Sequence, residues 1–184
     1  MHPLHDLSVG DNAPDLINCI VEIPKGSRNK YELDKATGLF HLDRTLYSPM
    51  IYPGDYGLIP RTHYDDGDPL DVLIICNEPT FTGCIVEARP IAVFRMRDKD
   101  ANDDKIVCVP EGNPFFREFR DVGNIPPHFL EEVAHFFSVY KDLEGHRVNP
   151  VGWGGAEEAR EAIRHAVELY QHKFGKPETT TAEK

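Results

Sequence analysis

Three carboxylates fall within six residues in Asp66-Gly67-Asp68-Pro69-Leu70-Asp71, and after Val72 comes a run of strand formers, Leu73-Ile74-Ile75-Cys76. Gly67 and Pro69 are turn residues, so the segment reads as a tight bend feeding a strand. Asp66 and Asp68, two apart, can point the same way out of the bend. Asp71, at the first strand position, shares a face with Leu73 and Ile75. That face is apolar, which sets Asp71 at the rim of a core. Carboxylates crowded at a rim repel one another unless positive charge sits among them, and hard divalent cations with oxygen ligands are the natural source of it. The plain alternative is a solvated turn, because Asp, Gly and Pro dominate turns generally. A calcium EF-hand does not fit: counted from Asp66, the positions that need Gly and Glu hold Asp71 and Asn77. A phosphatase using the first Asp of a D-x-D as nucleophile needs a buried strand before the motif, and here Arg61-Thr62-His63-Tyr64-Asp65 precedes it. The motif by itself points to metal and leaves the chemistry open.

A second acidic cluster, Asp98, Asp100, Asp103 and Asp104, crowds a loop between two strand-like runs. Placed at one mouth of a barrel, the two acidic turns would face each other. Lys30, Arg44 and Lys141 lie in strand-like or aromatic contexts. Singly, each reads as a solvated charge, since long charged side chains are normally exposed. Together with Tyr52, Tyr56 and Tyr140 they make a coherent anion-binding set.

The elements that must position these groups follow from pattern. Strands are expected at Asn18–Ile23, Lys30–Leu33, Leu39–Leu46, Leu73–Cys76, Ile85–Met96 and Lys105–Val109, the long one bent or broken at Pro90. The Pro-, Gly- and Tyr-rich stretch Tyr47–Gly57 reads as a loop. Short strands at turn-bounded spacing suggest a small closed or partly closed barrel. Two helices follow. Phe129, Leu130, Val133, Phe136, Phe137 and Tyr140 recur at helical spacing after Pro126-Pro127, with Gly145 as a C-terminal cap. Ala159, Ile163, Ala166, Val167, Tyr170 and Phe174 mark the second, closed by Gly175 and Pro177. Residues 1–177 are read as one domain and 178–184 as a disordered tail.

The formal net charge of −11 argues against a general nucleic-acid or anionic-membrane binder, both of which need a basic face. A small anionic substrate is compatible with it only if cations accompany the substrate. No apolar run reaches the roughly 18–20 residues of a transmembrane helix, and Met1–Asp15 shows no basic-then-apolar leader pattern. The four cysteines, Cys19, Cys76, Cys84 and Cys108, form no C-x-x-C pair. They read as reduced thiols in a reducing cytoplasm, with Cys76 and Cys84 the two that flank a turn closely enough to approach. The nine histidines include no zinc-protease spacing; His128 and His135, on one helix face, read as packed or surface groups.

In order along the chain, Glu22-Ile23-Pro24, Lys30-Tyr31-Glu32, Asp43-Arg44, Tyr52-Pro53 with Tyr56-Gly57, the D-G-D-P-L-D-V signature, Asp98 with Asp103 and Lys105, Val109-Pro110, and His135-Phe136-Phe137 leading to Tyr140-Lys141 closely resemble the family I soluble inorganic pyrophosphatases. The likeness spans roughly residues 10 to 174, without departure at a catalytic position, and the short length is like that of the bacterial type. The resemblance implies an α+β, mainly β fold: a five-stranded OB-like closed β-barrel with flanking α-helices. It implies an inorganic diphosphatase that hydrolyses pyrophosphate to two orthophosphates, dependent on several Mg²⁺ ions, with Mn²⁺ or Zn²⁺ as substitutes. A water or hydroxide bridging two metals would attack phosphorus in line. It further implies a homohexamer.

The same resemblance assigns roles. Asp66, Asp71 and Asp103 would hold the first metal, with Asp71 reaching the second, and Asp98 with Asp103 would hold a metal carried by the substrate. Asp68 would be the general base. Glu22 and Glu32 would act on the metals through water. Lys30, Arg44, Tyr56, Tyr140 and Lys141 would grip phosphate oxygens, supported by Tyr52 and Lys105. Charge counting agrees. Five ionised carboxylates and a pyrophosphate of roughly −4, set against three basic side chains, leave about −6, which roughly three divalent ions would neutralise. The rival readings are a non-catalytic OB-type module, for which the acid-lined mouth has the wrong sign, and an enzyme of nucleotides or longer polyphosphates.

Overall fold

The computed structural model describes residues 2–175; the expected tail, 178–184, and the last residues of the expected domain lie outside them. The elements run α1 (Pro3–Asp6), β1 (Ile17–Ile23), β2 (Asn29–Leu33), β3 (Phe40–Thr45), β4 (Asp55–Leu58), β5 (Asp71–Ile74), β6 (Ile85–Asp98), β7 (Ala101–Asn102), β8 (Lys105–Pro110), α2 (Pro127–Val139), β9 (Val148–Gly154) and α3 (Ala156–Phe174). Five strands close on themselves in the order β1–β4–β5–β8–β6, with β6 returning to β1. Every contact round this ring is antiparallel except β5 with β8, which is parallel. The chain is therefore mainly β, with a ring of five strands and flanking helices, as the pattern of short strands led one to expect. β2 and β3 form a separate hairpin, and β6 and β7 form another, carrying the second acidic turn.

Strand alternation divides the core between the helices. Leu73 of β5 and Val107 of β8 pack with Val133, Phe136 and Phe137 of α2. Their neighbours Val72, Ile74, Ile106 and Cys108 pack with Ala159, Ile163 and Ala166 of α3. Pro127 occupies the first turn of α2, where its missing N–H costs nothing. β6 serves both ends of the molecule. Its first residues pair with β1, its middle with β8 and its last with β9. It stays one strand, and the bend comes from a register shift between Pro90 and Ala92.

Two local readings need correction, and one strand, β9, has no counterpart in the expected elements. Residues 55–58 are strand, although they fall largely in the stretch read as loop. Gly57 is there because β1 passes close: a Cβ on it would lie 1.9 Å from the Ile20 carbonyl oxygen, so the glycine marks an approach of two backbones rather than a turn. β9 carries Pro150, Gly152 and Gly154 and looks like turns in sequence, yet it is held as a strand by the overhanging end of β6. Gly145, with φ of +76°, caps the short 3₁₀ turn Asp142–Glu144 rather than α2 itself. The four cysteines are free, and the buried Cys108 thiol has Cys19 as a neighbour.

Candidate active site

One cleft of about 760 Å³ opens at the mouth of the ring, lined by both acidic turns and the β2–β3 hairpin. The parallel pairing of β5 and β8 sets its floor. Asp71 and Lys105 are register partners, and both project on the face that carries Leu73 and Val107. Lys105 is buried. Its Nζ lies 2.5 Å from Asp71 Oδ2 and also binds Asp103 Oδ1. The Tyr56 hydroxyl, on β4, donates to the same Asp71 oxygen at 2.5 Å. Burial opposes the charge on Lys105, but Asp71 and Asp103 outweigh it and push the ammonium's pKa up. Asp103 is raised, first by burial and then by Asp71 and Asp66, with Lys105 offsetting part of the shift.

The first acidic bend stands above this floor. Gly67, at φ +94°, lets it turn, and the Asp68 N–H donates to Asp66 Oδ1 at 3.0 Å, an Asx turn. Asp66 is raised by burial, and the neighbouring Asp71 and Asp68 charges add to the rise, against the Asp68 N–H bond. Asp68 is exposed and ion-paired to Lys35. Opposite, on the β6–β7 hairpin, Asp98 accepts from Lys141 Nζ at 2.8 Å. Burial would raise its carboxyl, but Lys141 prevails and holds it below the usual range. Lys141 and Tyr140 sit just beyond the last residue of α2.

The hairpin supplies the third wall. Lys30 pairs with Glu32, and Asp43 lies 3.6 Å from it. Glu22, on β1, accepts the Leu33 N–H at 2.8 Å, and burial pushes its pKa up to about 8. Two expected residues do not line the cleft. Arg44, opposite Lys30 in register, is engaged by Asp43 and by Glu144, 2.8 Å away. Tyr52 is buried beneath, its ring 5.4 Å from that of Tyr56. All the other expected residues do line it: Glu22, Lys30, Glu32, Tyr56, Asp66, Asp68, Asp71, Asp98, Asp103, Lys105, Tyr140 and Lys141.

The fold also brings in groups that sequence reasoning passed over. Lys35 and Asn102 face the cleft. Nothing in the sequence separates Lys35 from other surface lysines; only the return of the β2–β3 turn over the bend does. Asp104, counted in the second acidic cluster, turns away from the cleft and is buried.

Carboxylates at two levels, with ammonium groups and buried phenols among them, make a site for a polyanion that arrives with hard cations. Among the described residues no three carboxylates are gathered at ligand spacing, and the positive charge between Asp71 and Asp103 is supplied by Lys105. The donors still suit such cations. They are oxygens throughout, and Asp66 and Asp103 are each raised first by burial and then by carboxylate neighbours, a repulsion that bound positive charge relieves.

The comparisons give this class of site its family. A family model described as inorganic pyrophosphatase matches residues 19–171. A soluble inorganic pyrophosphatase of Oryza sativa subsp. indica is 49% identical over 169 residues, covering 92% of this chain and 79% of its own. An inorganic pyrophosphatase of Haloferax volcanii is 46% identical over 170 residues, covering 92% and 96%. The crystal structure of inorganic pyrophosphatase from Thermus thermophilus matches with a TM-score of 0.88 at 38% identity, over 92% of this chain and 99% of that one. The chain belongs to the inorganic pyrophosphatase family, which is metal-dependent.

Proposed function

We propose that this chain hydrolyses inorganic pyrophosphate to two orthophosphates with Mg²⁺ as its cation, Mn²⁺ or Zn²⁺ substituting. The observation that carries the reading is the facing of the two acidic turns across one cleft whose floor is the Asp71–Lys105–Asp103 group. Asp66, Asp71, Asp98 and Asp103 are the proposed cation ligands. Bound magnesium would neutralise phosphate charge and lower the pKa of a coordinated water.

The chain's own side chains do the rest. Asp68, outside the ligand set and open to solvent, accepts the proton of the attacking water. Lys30, Lys141, Tyr56 and Tyr140 hold phosphate oxygens and stabilise charge on the leaving phosphate. Arg44 joins them on exchanging Glu144 for phosphate, a trade of one charge-assisted partner for another. Glu22 and Glu32 orient the cations through water. Lys105 and Tyr52 support the floor from below, Lys105 by holding Asp71 and Asp103 together. The chain acts as one domain, assembles as a homohexamer and works in the cytoplasm on this small substrate, without nucleic acid or membrane. Among the described residues no helix is long and apolar enough to cross a membrane.

The test is phosphate release from pyrophosphate with Mg²⁺, with chelator, and with ATP in place of pyrophosphate. Release that needs Mg²⁺ and fails on ATP supports the reading. No Mg²⁺-dependent release defeats it, and equal rates on ATP replace it with a nucleotide or polyphosphate hydrolase. Light scattering of the same preparation checks the hexamer.

A further inference from the structure

The two acidic turns are tied to each other by hydrogen bonds that the proposed reaction does not use. The Tyr64 hydroxyl donates to Asp104 Oδ2 at 2.8 Å. The Asn102 side-chain amide donates to Asp65 Oδ2 at 2.7 Å. Asp65 immediately precedes Asp66, and Asn102 and Asp104 flank Asp103, so each tie grips the backbone beside a cleft carboxylate. Successive residues point apart here: Asp103 faces Lys105, whereas Asp104 turns inward, where it also accepts the Met96 N–H at 3.3 Å. Tyr64 and Asp104 are both buried, so their bond is made out of water, where a charge-assisted O–H donor is strongest. Helix α3 closes the arrangement. A His165 ring nitrogen lies 3.2 Å from Asp65 Oδ1, and the ring meets Tyr64 edge-on at 6.0 Å.

Two turns of like charge repel each other in the absence of cations. If they were free to move apart, binding would have to draw them together, and that ordering cost would be subtracted from the affinity. We infer that Tyr64 and Asn102 are positioning residues which, through Asp104 and Asp65, hold the two acidic turns at a fixed separation and so set the divalent-cation affinity of the cleft. The inference rests on the reading of Asp66, Asp71 and Asp103 as cation ligands.

Calorimetric titration of the substrate-free full chain with Mn²⁺ tests it without reference to turnover. Tyr64→Phe removes one hydroxyl and keeps the ring; Asn102→Ala removes the other tie; the double variant removes both. The double variant should bind Mn²⁺ about tenfold more weakly, the lower end of the loss seen when a ligand's outer partner is removed, and each single variant less. The Mg²⁺ concentration giving half-maximal pyrophosphate hydrolysis should rise by the same factor, with the rate at saturating Mg²⁺ restored. Loss of fold stability alone does not produce that split. A double variant that binds Mn²⁺ as tightly as the unaltered chain overturns the inference, whatever its melting temperature. An unaltered chain that binds no Mn²⁺ overturns it together with the ligand assignment. An unaltered chain that binds Mn²⁺ but releases no phosphate defeats only the proposed reaction, and the calorimetric comparison still decides this inference.

Discussion

Two lysine–aspartate pairs serve the same cleft under opposite conditions. Lys105 and Asp103 meet with side chains 2% and 10% exposed; Lys35 and Asp68 meet with theirs 51% and 57% exposed. In the first, neither charge has water to fall back on. Each needs the other, and Asp71 completes the group. In the second, water screens the pair and replaces either partner cheaply. Residue type is identical, so the difference lies in what surrounds the pair. The buried pair sits where β8 begins, Asp103 two residues before Lys105 and Asp71 facing it from the neighbouring strand β5, with aromatic rings of Tyr56 and Phe137 5.9 Å from the ammonium. The exposed pair joins two turns at their solvent side, where neither side chain is enclosed. A permanent fixture of the floor and an exchangeable contact at the rim are the physical requirements for holding ligands still while a proton acceptor changes partners.

The strongest way to break this contrast is to remove the buried ammonium. Lys105→Met keeps the stem and deletes the charge, leaving Asp71 and Asp103 crowded and unpaired. Loss of one partner of a buried charge group costs ~3–5 kcal/mol, and urea unfolding in metal-free buffer should register it. Mg²⁺ should raise the variant's midpoint by more than it raises that of the unaltered chain, because the ion supplies the missing positive charge. A loss under ~1 kcal/mol, within the range of an exposed pair, would erase the distinction between the two pairs.

The next largest effect separates chemistry from stability at the exposed pair. Asp68→Asn should cut turnover by at least ~10²-fold, the lower end for losing a general base. Its unfolding free energy should stay within ~0.5 kcal/mol of the unaltered chain's, as for surface changes generally, and its Mn²⁺ affinity should remain largely intact. Near-normal turnover removes Asp68 from the role of proton acceptor.

The contrast also explains what was legible in the sequence. The bend Asp66–Asp71 was visible because its turn residues and its strand adjoin, and parity alone assigned Asp71 to the Leu73 face. The ring of strands was visible in the spacing of turns. Asp104 could be grouped with its acidic neighbours, but its turn away from the cleft depends on Tyr64, 40 residues earlier. The Asp71 partner of Lys105 follows from a parallel pairing of β5 with β8 that no local pattern states, whereas Asp103 lies two residues away along the chain. β4 was hidden because Gly57 answers to a neighbouring backbone, and β9 because its pairing is tertiary. Lys35 was missed for the reason that makes it exchangeable: an exposed lysine on a hairpin turn carries no burial, periodicity or spacing to single it out.

The smallest effect is therefore the sharpest test of the contrast. Lys35→Ala removes the same ammonium from the same kind of carboxylate as Lys105→Met does, yet water takes its place at once. Its cost in stability should be no more than ~1 kcal/mol at low salt, and should fade as salt is raised to ~1 M, where the Debye length is only about 3 Å. The Lys105→Met loss should persist in the same salt, since buried charges are screened far less. Unfolding midpoints of the two variants across one salt series decide the matter. Parallel salt responses would mean that the two pairs share one environment, and that the division between fixed floor and exchangeable rim does not describe this cleft.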